Sequence, residues 1–158
     1  MAKVLVTYYS RTGNTKRMAE IFAETLREEG LDVTLKPVEK IRVSELLNYD
    51  GIAVGSPTYY GQMAAEVKKL FDESVRIHGK LDGKVGAAFT SSGGYGCGGE
   101  TTVLSILNAL LIHGMIVQGD PGDFHYGAIV EGRPEKDDEE AVRVKARRMA
   151  TLLRRLHG

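Results

Sequence analysis

Ser10-Arg11-Thr12-Gly13-Asn14-Thr15 gathers three side-chain hydroxyls, one amide and one glycine into six residues. The stretch follows an apolar run, Val4-Leu5-Val6, and leads into a helical pattern. A glycine here lets the backbone turn sharply and approach a ligand closely. The start of a helix adds N–H groups without intrahelical acceptors and the positive end of a dipole. Together these features describe a phosphate site at a strand-to-helix turn. An ordinary N-cap needs one hydroxyl, and this loop supplies several. It is not a P-loop: G-x-x-x-x-G-K-[ST] requires a second glycine and a Lys-Ser/Thr pair, and both are missing. With no lysine placed for a β- or γ-phosphate, the donors suit one terminal phosphate monoester better than a nucleoside triphosphate.

Two later stretches have the composition of ligand loops. Gly55-Ser56-Pro57-Thr58-Tyr59-Tyr60-Gly61-Gln62 and Thr90-Ser91-Ser92-Gly93-Gly94-Tyr95-Gly96-Cys97-Gly98-Gly99-Glu100 combine small residues with tyrosines. A tyrosine can lay a flat face on a ring while its hydroxyl stays in water. Taken singly, each is equally a turn with a surface tyrosine. Their conjunction with the hydroxyl loop predicts a phosphate-tailed aromatic heterocycle, with Tyr59 and Tyr60 both open as the stacking ring. The run Gly94 to Gly99 also satisfies G-x-G-x-x-G, and Asp120 follows about 20 residues later, the spacing of a dinucleotide fingerprint. Ser91, Ser92 and Gly93 separate it from the preceding strand, and that reading leaves the first loop without a role. Cys97 reads as an incidental small residue or as a redox thiol. His78, His125 and His157 lack metal-ligand spacing, so no metal is predicted.

These loops must be held by regular elements. Strand patterns cover 3–9, 31–37, 51–55, 84–90 and 115–117. Helix patterns cover 14–29, 63–77, 100–113 and 137–156, with a short helix at 43–47 and an irregular stretch at 121–134. The apolar spacing turns Met18, Ile21, Phe22 and Leu26 inward on the first helix. It does the same for Val67, Leu70, Phe71 and Val75 on the second, and for Ala141, Val144, Met149, Leu152 and Leu153 on the last. Apolar strands alternating with helices predict an α/β domain over 1–158, its parallel sheet covered on both faces. Ligands in such sheets bind beyond the carboxyl ends of the strands, where all three loops fall.

The 158 residues suit one domain with a real core. Lys+Arg and Asp+Glu are 21 each, which argues against nucleic acid as the main partner. One cysteine excludes a disulfide framework and fits a reducing compartment. The opening residues lead straight into a strand, and no apolar run is long enough to span a bilayer. A cytoplasmic protein without membrane insertion is expected.

Ser10-Arg11-Thr12-Gly13-Asn14-Thr15 resembles the FMN phosphate loop of flavodoxins. Gly55 to Gly61 resembles the second flavin loop of the flavodoxin-like NAD(P)H:quinone oxidoreductases, the WrbA group. Phe89-Thr90-Ser91-Ser92-Gly93 with Gly98-Gly99-Glu100-Thr101-Thr102 resembles the third, and His113-Gly114-Met115 a further signature of that group. The likeness runs from Lys3 to the last helix. It implies a flavodoxin-like, doubly wound, five-stranded parallel sheet of order 2-1-3-4-5 and non-covalent FMN. Ser10, Thr12, Gly13, Asn14 and Thr15 would hold the phosphate, and Thr58, Tyr59 and Tyr60 would line the ring. Ser91, Ser92, Gly93 and Gly94 would touch its pyrimidine side. Arg11, Pro57, Gly61, Tyr95 and Gly98 complete the expected cofactor set, with His113 near the ring as the catalytic candidate. The implied activity passes electrons from NAD(P)H to a quinone-like acceptor in a dimer or tetramer. The alternative is a flavodoxin-type one-electron carrier with no NAD(P)H oxidase activity of its own.

Overall fold

The computed structural model describes all 158 residues. Strands β1 (Lys3–Tyr8), β2 (Asp32–Pro37), β3 (Gly51–Pro57) and β4 (Val85–Ser92) pair in parallel in the order β2-β1-β3-β4. The outer edge of β4 is shared by two short strands. β5 (Ile116–Val117) pairs with Val85 and Gly86, and β6 (Ala128–Glu131) pairs with Phe89 to Ser92. This is the expected order 2-1-3-4-5, with its fifth position divided. Helices α1 (Asn14–Glu28), α2 (Ala65–Glu73), α3 (Gly99–Ile112) and α4 (Lys136–His157) cover the two faces.

Strand alternation sends successive side chains to opposite layers. Val4, Val6 and Tyr8 join Met18, Phe22, Ala146 and Met149 in the layer under α1 and α4. Leu5 joins Val67, Ile106 and Leu110 in the layer under α2 and α3. Phe22 and Phe89 stack at 5.4 Å in the first layer.

Three expectations are corrected. The stretch 121–134 is not wholly irregular, since it contains β6. Val75 is 72 % exposed, because α2 ends at Glu73 and a 3₁₀ turn over Ser74–Ile77 rotates the buried face to Ser74 and Ile77. Val144 is exposed, whereas Val142, Ala146, Met149 and Leu153 form the inward stripe of α4. Val142 and Val144 lie two residues apart, so they point to nearly opposite sides of the helix, and packing against β4 and α1 selects the side that is buried.

Residues 118–127, between β5 and β6, are pinned onto α4. Lys145 Nζ lies 2.6 Å from Asp120 Oδ2 and donates to the Asp123 carbonyl at 2.6 Å. Arg148 donates to the Gly119 carbonyl at 2.7 Å. Hydrogen bonding by Lys145 holds the Asp120 carboxyl below its usual range. The side chains of Lys145 and Asp120 are 9 % and 12 % exposed. Without Lys145, Asp120 keeps only the longer Arg148 contact at 3.5 Å and the Gly122 N–H at 2.8 Å, so much of the compensation of an enclosed charge is lost. Lys145→Ala should therefore cost about 2–3 kcal/mol in urea unfolding. A loss within about 0.5 kcal/mol, the scale of an exposed pair, would show that the pair does not secure the loop.

Candidate functional site

The carboxyl ends of β1, β3 and β4 bring the three loops together. Gly13 is the N-cap of α1 with φ 101°, a conformation that glycine adopts readily. A Cβ added there would meet nothing within 4 Å, so the space in front of the loop is open. No side chain caps this helix, and its first turn holds no acid. Gly13 N–H donates to Ser10 Oγ at 3.1 Å. The backbone N–H groups of Arg11, Thr12, Asn14, Thr15 and Lys16 have no acceptor within the chain. Such a run of free amides at a helix start makes an anion cradle. Arg11, Thr12 and Gly13 are exposed, and Asn14 is half-buried.

The second loop is a tight turn closed by reciprocal Tyr59–Gln62 backbone bonds. Tyr60 at φ 51° and Gly61 at φ 73° occupy its centre, the mirror-image turn that needs two left-handed residues. A tyrosine in that region carries strain of about 1 kcal/mol or more. Its ring stands fully in solvent, as does most of the Tyr95 ring. The second and third loops touch at Gly61 and Gly98. Gly98 has φ 97°, and a Cβ on it would sit 2.8 Å from Gly61 Cα.

Hydroxyls lace the floor. Thr15, 1 % exposed, places Oγ1 2.8 Å from Ser91 Oγ. Thr58 donates its backbone N–H to the Ser91 carbonyl at 2.8 Å, and its hydroxyl lies 2.9 Å from that of Thr90. Thr90 Oγ1 in turn donates to the Ser56 carbonyl at 2.6 Å. Pro57 lies in register with Ser91. The N–H groups of Gly93, Gly94 and Tyr95 have no acceptor within the chain. Ser92 Oγ donates to the Gly94 carbonyl at 3.2 Å. Cys97 is exposed.

Beside the third loop lies a cavity of about 740 Å³ lined by Tyr95, Phe124 and Ile129 and rimmed by Glu100, Glu131 and Arg133. Glu135 and Asp138 extend the acidic rim while forming the capping box of α4. None of these rim residues stands out in the sequence, because they come from three separate elements. Asp120, the acid of the apparent dinucleotide fingerprint, is engaged by Lys145.

His113 is not at this site. Helix α3 runs from the third loop toward the opposite edge of the sheet, and its 14 residues span roughly 20 Å. His113 caps the far end, buried, with Nε2 2.7 Å from Ser74 Oγ and its ring beside His78. Sequence spacing gives a residue's position along a helix, not which sheet edge the helix end reaches. Burial, then the neighbouring His78, lowers the imidazole pKa below its usual 6.5. The folded chain thus keeps His113 neutral where the unfolded chain takes up a proton. Its contribution to stability is whole above about pH 6.5 and declines as pH falls from there toward the folded value. Thermal melts should show a lower Tm at pH 5 than at pH 7.5, with His113→Phe reducing the difference. An unchanged difference in that variant would assign the pH dependence elsewhere.

Comparison with known proteins agrees with this geometry. The Flavodoxin family model matches residues 6–143. A protein named flavodoxin from Aquifex aeolicus is 45% identical over 95% of this chain and 86% of its own length. A protein named NAD(P)H dehydrogenase (quinone) from Archaeoglobus fulgidus is 34% identical over 99% of this chain and 100% of its own. The crystal structure of oxidised Flavodoxin 2 from Bacillus cereus superposes with a TM-score of 0.83 at 29% identity, covering 96% of this chain and 99% of that one. With the Flavodoxin model matched over residues 6–143 and 45% identity to a protein of that name, the chain belongs to the flavodoxin family.

Proposed function

We propose that the three loops hold FMN and that the protein is an electron carrier. The observation that carries this reading is the cradle of unpartnered amides at Arg11–Lys16, facing open space beside two tyrosine-bearing turns. These donors fit a phosphate monoester. The amides of Arg11, Thr12, Asn14, Thr15 and Lys16, with the Ser10 and Thr12 hydroxyls, would hold it. Tyr59, Tyr60 and Tyr95 offer ring faces, and the free N–H groups of Gly93, Gly94 and Tyr95 offer donors to a ring's polar edge. When bound, the flavin supplies the redox chemistry, and the chain orients it and tunes its surroundings.

Identity to a protein named flavodoxin, higher than to the quinone dehydrogenases, supports a carrier. So does the acidic rim of Glu100, Glu131, Glu135 and Asp138 against Arg133 alone, since a local field of one sign steers a partner of the other. The second reading is an NAD(P)H:quinone oxidoreductase. It is favoured by the full-length match to proteins named for that activity.

Steady-state NAD(P)H oxidation by the FMN-loaded protein, with a quinone, separates the two. Turnover no faster than that of free FMN supports the carrier, and turnover saturating in NAD(P)H supports the reductase. Failure to take up FMN would defeat both.

A further inference from the structure

Helix α4 divides its charge by position. Residues 135–140 hold five acids and one lysine, whereas residues 141–158 hold six lysines and arginines and no acid. The division reaches the surface. A groove beside α4, bordered by residues 118–124, holds two depressions. The first, about 490 Å³, carries Asp123, Asp137, Asp138 and Glu140 around Phe124. The second, about 270 Å³, is lined by Arg147, Arg148, Thr151 and Arg155 and by no acid. Val144 borders both and stands exposed between them. Asp123, Asp137 and Arg155 take part in no ion pair within the chain. The groove is therefore acidic at one end, basic at the other and apolar at its middle.

Such a surface is complementary to itself after a half turn. We propose that a second copy of this chain covers it, with the two α4 helices antiparallel and a two-fold axis near Val144. Glu140 and Arg148 lie four residues to either side of Val144, and Asp137 and Thr151 seven residues to either side. The half turn sets Arg148 of each copy over Glu140 of the other, and Val144 over Val144. Arg155, about 6 Å beyond Thr151 along the helix, extends to Asp137 of the other copy. A two-fold interface uses one patch on both molecules, so each contact occurs twice. Parallel helices would set acids on acids and arginines on arginines, which opposes binding. A basic partner fits one half of the groove and an acidic partner the other, whereas a copy fits both. The outer face of a 22-residue helix offers roughly 400 Å², about half of what one partner buries in a standard interface. The dimer is accordingly weak and salt-sensitive. It does not depend on what the three loops hold.

Sedimentation velocity of the full chain tests the pairing, with reductant present so that the exposed Cys97 forms no cross-link. Samples run from about 10 to about 500 µM, the range suited to so small an interface. A monomer–dimer equilibrium is expected at about 50 mM salt, weakened at least about fivefold at about 500 mM by screening. Val144→Glu places two carboxylates against each other on the axis and should weaken the dimer at least about tenfold. Asp137→Lys and Arg155→Glu should each weaken it about threefold or more. Together they rebuild the cross-axis pair with its signs exchanged, and the double variant should dimerise within about twofold of wild type. Val144, Asp137 and Arg155 are all exposed, and thermal melts establish that each variant is folded. A wild-type chain that stays monomeric at low salt overturns the proposal and leaves the groove to a partner of other chemistry. A dimer that survives in folded Val144→Glu, or that the double variant does not restore, also overturns it.

Discussion

Thr12→Asp will take up FMN about a hundredfold more weakly than the wild type. Thr12 is exposed and makes no side-chain hydrogen bond, so the fold loses nothing by the change. The substitution places a carboxylate among amides that have no other partner. A unit charge about 5 Å from a phosphate dianion, at an effective dielectric between that of protein and water, costs about 3 kcal/mol, or roughly two orders of magnitude. The new carboxylate can also occupy the amides itself, which adds to the loss. Because the site is open to solvent, the effect should shrink as salt rises toward 1 M. Fluorescence titration at low and high salt measures both features. Thr12→Ser is the control and should bind as the wild type does. An affinity for Thr12→Asp within threefold of wild type would remove the phosphate from this loop.

Gly98→Ala should cost about 2–4 kcal/mol of stability, adding left-handed strain to overpacking. It should also weaken ring binding by at least about tenfold, the equivalent of 1.4 kcal/mol. The φ of 97° disfavours any side chain, and the new methyl would lie 2.8 Å from backbone of the second loop. Backbone on both sides leaves no flexible side-chain end to yield, so the two turns must separate. The phosphate end lies on another loop, and inorganic phosphate affinity should fall far less than riboflavin affinity. Gly93→Ala serves as comparison: it has no positive φ, and nothing lies within 4 Å of the added Cβ. Its unfolding midpoint should stay near wild type. Equal behaviour of the two variants would mean that the Gly61–Gly98 approach does not shape the site.

The choice between enzyme and carrier turns on where charges lie rather than on composition. Equal numbers of acidic and basic residues fit a neutral surface. Partner steering depends on where charges lie, not on their sum. Glu100 enters from α3, Glu131 from β6, and Glu135 and Asp138 from the start of α4. They meet only because the sheet brings those ends to one side of the third loop.

The strand-to-helix turn at Ser10–Thr15, with its left-handed glycine and free amides, was legible because its signal is local. Hydroxyls, a glycine and a helix start lie within a few residues, and the free amides follow from the helix geometry that the apolar spacing announces. The alternation of strands and helices was legible for the same reason, and with it the layered fold and the edge where the loops gather. What the chain order alone left undetermined was set by contacts between distant segments. Ala128–Glu131 is too short to show a strand period and exists as β6 by pairing with β4. Val142 rather than Val144 faces inward because α4 settles on one neighbour. His113 lies at the far sheet edge because a helix carries its last residue away from its first. Ser91 bonds to both other loops because the end of β3 and the start of α1 meet it near the end of β4. Local sequence specifies conformations a few residues long, whereas these positions depend on which distant surfaces exclude water together, and only the folded chain brings those surfaces into contact.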